Sequence, residues 1–108
     1  MDKNNLTLGE AVTALKEGLR VRRSSWSGDK KFVFRQVPAE IPAEVVPKMQ
    51  SLPQKVKDYF QGTFEDENKQ IASIYYRDQL VLVGLSNSIT SYSPSVSDTL
   101  AIDWEILD

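Results

Sequence analysis

Apolar residues return at helical spacing in the first stretch of the chain. Leu8, Ala11, Val12 and Leu15 form one stripe, and Thr7 followed three residues later by Glu10 reads as a capping box at its start. Gly18 then suits the position just past a helix end, so the pattern predicts a helix over about 8–17. The period shortens after that. "LRVRR" reads as a short strand, "SSWSGD" has turn chemistry, and "KFVFRQV" resumes as a strand with Phe32 and Phe34 on one face, expected to be core. Pro38, Pro42, Pro47 and Pro53 argue against regular structure from 38 to about 53, apart from a helical turn or two. Pro53 suits the first position of a second, short helix over about 53–61, with Val56, Tyr59 and Phe60 as its apolar face. "GTFEDENKQ" is then a polar, exposed connection.

"IASIYYR" and "QLVLVGLS" read as two strands separated by Asp78, and the unbroken run Leu80 to Val83 predicts burial on both faces. Tyr75 and Tyr76 point to opposite faces, so at most one is core. A turn at Asn87, a short strand, a loop with one helical turn and a closing strand "DWEIL" complete the chain. The expected fold is α+β: an N-terminal helix packed on a small, mostly antiparallel sheet of about five strands. At 108 residues one domain spanning 1–108 is the default. Stability from self-association is also expected at this size.

Composition narrows the chemistry. The chain has neither cysteine nor histidine, which removes disulfides, thiolates, and the commonest general base and metal ligand. No cofactor or metal is expected. No run approaches the roughly 18 apolar residues of a membrane span, and the N-terminus lacks a secretory apolar core, so a cytoplasmic protein with no membrane partner is the expectation. The net charge of −2 hides a segregation: Arg20 to Arg35 carries +5 and the remainder −7. An acidic chain with one basic cluster favours a small anionic ligand over duplex nucleic acid.

Two segments carry candidate binding chemistry. In the first, Trp26 beside Gly28 offers a stacking face for a base, or folds back to cap the core. Arg22 and Arg23 alternate across their strand, so the cluster is not one continuous patch. Lys30 and Lys31 could contact phosphate or simply face solvent. In the second segment, Ser91 to Trp104 combines five serine or threonine hydroxyls with Tyr92 and Asp98, suited to ribose hydroxyls and base edges. Ser97 or Asp98 could equally cap a helical turn. Asp98 and Asp103 as a hydrolytic carboxylate pair find no other support, and no phosphate-loop glycine pattern is present.

"LGEAVTALKEGLRVRRSSWSG" near the start and "SPSVSDTLAIDWEIL" at the end together resemble the second Thoeris anti-defence protein family of phages and prophages, over roughly 7–37 and 79–107. Pro38 to Ser73 looks like a variable insert. The resemblance implies a non-enzymatic sponge that assembles as a homotetramer in the host bacterial cytoplasm. Its ligand would be a cyclic nucleotide immune signal, glycocyclic ADP-ribose, with cyclic dinucleotides held by some members at separate sites. Carried over by position, Trp26, Ser27 and Gly28 occupy the family's Trp-Asn-Gly turn. Tyr92 stands where tryptophan is usual, and Ser95, Ser97, Asp98, Asp103 and Trp104 match the closing motif. The candidate ligand-binding set is Trp26, Ser27, Gly28, Tyr92, Ser95, Ser97 and Asp98, with Arg22, Arg23, Lys30 and Phe32. Ser27 and Tyr92 depart from the pattern, which bears on ligand preference. A pocket at a subunit interface is expected, because a domain this small has little room to enclose such a molecule. The alternative reading is a nucleic-acid or protein-binding adaptor using the basic stretch 20–35.

Overall fold

The structure, a computed structural model, describes residues 2–107, without the side chain of Asp29. Its contacts divide the chain into two compact units, Met1–Val37 with Asp78–Asp108, and Pro38–Arg77. The first unit is built on helix α1 (Leu8–Lys16) and a five-stranded antiparallel sheet. Its strands are β1 (Arg20–Arg23), β2 (Phe32–Gln36), β5 (Gln79–Val83), β6 (Ile89–Ser91) and β7 (Trp104–Leu107), in the order β6-β5-β2-β1-β7. A short helix α3 (Val96–Leu100) leads into β7. The expected α+β class, N-terminal helix and sheet are all present.

Helix α1 starts where the capping box places it. The Glu10 amide donates to Thr7 Oγ1 at 3.2 Å and the Thr7 amide to Glu10 Oε1 at 3.0 Å, so two N-terminal donors are satisfied reciprocally. Gly18 follows the helix at φ +87°, the left-handed conformation that glycine adopts without steric cost. Ala11, Ala14 and Leu15 are buried on the sheet, with Leu8 and Val12 beside them.

Register decides which side chains meet that helix. Val21 pairs with Val33 on β2 and with Ile106 on β7, and Val33 pairs with Leu82 on β5. Directly opposed residues share a face, so this row, together with Leu80, Trp104 and Arg23, lies on the α1 side. The core is Leu6, Ala11, Ala14, Leu15, Val21, Trp26, Val33 and Trp104. Phe32 and Phe34 therefore lie half-buried on the other face, the one that carries Arg20, Arg22, Val81 and Val83, and are not part of that core. The inward position of β2 is Val33. The Leu80–Val83 run is likewise buried only in part, since Val81 alone is fully enclosed.

The second unit holds β3 (Ala39–Pro42), paired antiparallel with β4 (Ser73–Tyr76), and helix α2 (Gln54–Glu65). The proline-rich segment thus contains a strand that the prolines argued against. The Ala43 amide donates to the Ala72 carbonyl, so by alternation the pair Pro42–Ser73 is one that exchanges no backbone bonds. The N–H that proline lacks is not needed there. Helix α2 runs four residues beyond the predicted end, past Gly62, because Phe60, Thr63 and Phe64 continue its partly buried face. Tyr75 is 64% exposed while Tyr76 is half-buried, consistent with their opposite directions.

Candidate functional site

The two candidate segments lie some seventy residues apart in sequence and meet at one end of the sheet. "SSWSGD" forms a 3₁₀ helix, Ser24–Asp29, directly after β1, closed by Lys30 in the left-handed conformation at φ 55°. Its tryptophan turns inward. Trp26 is only 9% exposed and meets Trp104 edge-on at 5.3 Å between ring centroids and Tyr92 at 6.1 Å. Of the two readings for this ring, the core cap describes its surroundings in the chain. Lys31 Nζ lies 4.9 Å above its centroid, a cation–π contact on the outer side.

The polar partners are ordered by the same strand register. Arg23 pairs with Trp104, which brings its guanidinium to α3 and to the turn before β7. Nε donates to Asp103 Oδ1 at 2.8 Å, and Nη1 donates to Asp98 Oδ1 at 3.1 Å and to Ser97 Oγ at 3.4 Å. Tyr92 Oη donates to the other Asp98 oxygen at 2.8 Å, and Ser24 Oγ to Asp103 Oδ2 at 2.9 Å. Ser95 caps α3 by accepting from the Asp98 amide at 3.0 Å, while Trp104 Nε1 donates to the Asp98 carbonyl at 3.0 Å. Asp98 thus connects a helix cap, an aromatic hydroxyl, an arginine and the central tryptophan.

Proton affinities follow from these contacts. Burial would raise the Asp98 carboxyl, but hydrogen bonds from Tyr92, Arg23 and Ser95 outweigh it and hold its pKa below the ordinary 3.8. The hydrogen bond from Arg23 does the same for Asp103, against a smaller effect of burial. Burial pushes the Tyr92 hydroxyl up, as does its bond to ionised Asp98. Both carboxylates are therefore ionised at neutral pH and engaged with one arginine. Neither has the raised pKa of a general acid.

The candidate residues separate by position. Arg23, Trp26, Tyr92, Ser95, Ser97 and Asp98 are gathered in this network. Ser27 and Gly28 are exposed on the 3₁₀ helix beside it, followed by the exposed Lys30. A Cβ built on Gly28 would meet nothing within 4 Å. Arg22 and Phe32 lie on the opposite face of the sheet, because side chains alternate along β1 and β2. Arg22 Nε binds Glu105 at 2.7 Å there, and Phe32 lies 5.1 Å from the Arg20 guanidinium. Asp103 is a network member that sequence reasoning did not place in the set. Its signal is its position immediately before Trp104, the residue that faces Arg23 across the ladder.

The three arginines Arg22, Arg23 and Arg35 of the basic island are paired with carboxylates within the chain. Arg22 pairs with Glu105, Arg23 with Asp98 and Asp103, and Arg35 with Asp78 at 3.2 Å. Among the described residues no cluster of three or more acidic side chains could hold a metal, and no helix is long and apolar enough to cross a membrane. A cavity of about 460 Å³ lies in the second unit, lined by Pro38, Ala39, Glu40, Tyr75, Tyr76 and Arg77, and it includes none of the candidate residues.

This joining of the "SSWSG" and "SVSD…DW" segments is matched by a relationship over the whole chain. The Tad2-like, or Thoeris anti-defense 2-like, domain family matches residues 6–107. The chain belongs to that family. It is also 28% identical over 105 residues to "Thoeris anti-defense 2" of Bacillus phage SP01, covering 97% of this chain and 98% of the phage protein. Family membership supports an anti-defence role, and the match runs through the 38–77 unit as well as both ends. The resemblance read from the two terminal motifs therefore extends to nearly the full length of this Thoeris anti-defense 2-like protein.

Proposed function

We propose that this protein is a phage anti-defence sponge. It binds a cyclic nucleotide immune signal, glycocyclic ADP-ribose, without cleaving it, and so withholds the signal from its effector in the bacterial cytoplasm. The observation that carries the reading is the convergence of the 23–29 and 92–98 segments through Trp26–Tyr92 and Arg23–Asp98. That network frames a rim on which Ser27, Gly28 and Lys30 are exposed. A sugar diphosphate needs cations, hydroxyl partners and close backbone approach. Lys30 and Lys31 supply charge at the rim, and the side-chain-free Gly28 leaves its backbone approachable. Arg23 acts as a frame rather than as a phosphate clamp, because two carboxylates already neutralise it.

The absence of histidine and cysteine, and the engagement of Asp98 and Asp103 with Arg23, support binding over turnover. The rim is open in a single chain. A homo-oligomer, a tetramer by family resemblance, is part of the proposal because a second subunit would close it. The test is to incubate the protein with glycocyclic ADP-ribose and with a panel of cyclic dinucleotides, remove it by ultrafiltration, and heat-denature the retained fraction. Depletion followed by release of intact ligand is expected. A cleaved product would mark an enzyme, and no depletion of any compound would end the sponge reading. The adaptor alternative loses support from the ion pairs that neutralise Arg22, Arg23 and Arg35.

A further inference from the structure

The two edges of the five-stranded sheet are unlike. Along β7 the N-terminal segment covers the edge: Leu6 and Trp104 exchange backbone bonds at 2.9 and 3.0 Å, and the Ile106 amide donates to the Lys3 carbonyl at 2.7 Å. Strand β6 has no such neighbour among the described residues, and all three of its residues are exposed. The β5–β6 ladder fixes which backbone groups face outward. The Tyr92 amide donates to the Leu80 carbonyl and the Gly84 amide to the Ser88 carbonyl. By alternation, Thr90 exchanges bonds with Leu82, while the N–H and C=O groups of Ile89 and Ser91 point away from the sheet.

Exposed edges normally carry a lysine or another charge, or a proline that lacks the N–H, to block pairing. This one does not. Residues 79–97 contain no Asp, Glu, Lys or Arg, in a chain that is 26% charged. The β5–β6 hairpin instead presents Leu85 at 71% and Ile89 at 61% exposure. Strand β6 is also self-complementary. A two-fold axis perpendicular to the sheet, midway between the Thr90 residues of two adjacent copies, sets Ile89 of one copy opposite Ser91 of the other, and the four outward backbone groups per copy match donor to acceptor. The two Thr90 side chains then meet as a close non-bonded pair on the α1 side, and each Ile89 is covered on the opposite face.

We infer that β6 is a homotypic interface, joining two copies of this chain edge to edge into a continuous ten-stranded antiparallel sheet. With no charge over residues 79–97, two identical edges meet without like-charge repulsion and a foreign peptide finds no charge to select it, which favours a second copy. The inference gives the proposed homo-oligomer a specific surface, and it is tested without any nucleotide.

Ile89→Pro deletes one outward N–H while sparing every bond to β5. Ser88 precedes it at φ −71°, ψ 138°, a conformation that a following proline accepts. In sedimentation velocity the wild type is expected to associate, and Ile89→Pro to fall by one step, from tetramer to dimer or from dimer to monomer. Amide exchange on the wild type supplies a second readout: protection at Ile89 and Ser91 should disappear on dilution. An associated wild type whose mass is unchanged by a folded Ile89→Pro, or whose Ile89 and Ser91 amides exchange freely, would overturn this interface and leave the oligomer standing. A monomeric wild type at every concentration would overturn both.

Discussion

Replacing Asp98 by Asn isolates the contribution of one carboxylate. Asparagine keeps a similar shape and the amide that Ser95 caps, but it loses the charge facing Arg23. The side chains of Arg23 and Asp98 are 19% and 13% exposed, so solvent screens this pair only in part. Hydrogen bonds to charged groups contribute about 1.5–3 kcal/mol each. The Arg23–Asp103 pair and one Tyr92 acceptor persist in the variant, so the expected loss is about 2 kcal/mol rather than the sum of the bonds. For a domain of this size each kcal/mol moves Tm by roughly 4–8 °C, giving a decrease on the order of 10 °C at pH 7. Both tryptophans of the chain belong to this core, so their fluorescence reports the transition of the unit concerned.

The pH dependence sharpens the test. The folded-state pKa of Asp98 is depressed, so its stabilisation is fully present above the ordinary value of 3.8 and is lost as pH falls through the lower folded value. The gap between wild type and Asp98→Asn should therefore narrow steadily below about pH 3.8. A gap that stays constant to pH 2, or a variant within about 0.5 kcal/mol of wild type at pH 7, would refute the assignment of a structural role to the carboxylate.

The neighbouring residues separate frame from rim. Trp26→Ala removes a ring that is nine-tenths buried between Trp104 and Tyr92, and should cost about 3–5 kcal/mol by chemical denaturation. A variant of near wild-type stability would mean that the ring contributes little to the core. Gly28→Ala should leave folding unchanged within about 0.5 kcal/mol, since its Cβ meets nothing in the chain and its φ is not positive. Calorimetric titration of this variant with glycocyclic ADP-ribose then reports on the ligand alone. A clear fall in affinity is expected, and unchanged affinity would remove Gly28 from the binding rim.

Local rules carried much of the fold. The Thr7–Glu10 box, the stripe ending at Leu15 and the glycine at 18 are short-range signals, and each acts within a single helix, so they were legible from the chain. The strand periods of 20–23, 32–36 and 79–83 were legible for the same reason. The Trp-Ser-Gly and Ser-Val-Ser-Asp segments could be singled out by residue type, and their family resemblance by motif.

What lay beyond the sequence depended on which strands pair and in what register. One residue of register assigns Val33 to the core and Phe32 and Phe34 to the other face, although all three have strand-forming side chains. The same ladder sends Arg22 to Glu105 and Arg23 to Asp98 and Asp103, splitting a cationic run that looks continuous in one dimension. Pro42 tolerates a strand only because its partner at Ser73 asks for no N–H, a fact created by pairing across thirty residues. The chain by itself determined its first helix, where the second begins, and the two segments that matter. Tertiary structure decided that these segments meet, that their arginine is already paired, and that Trp26 lies inside, because burial and ion pairing are properties of neighbours brought together by the sheet.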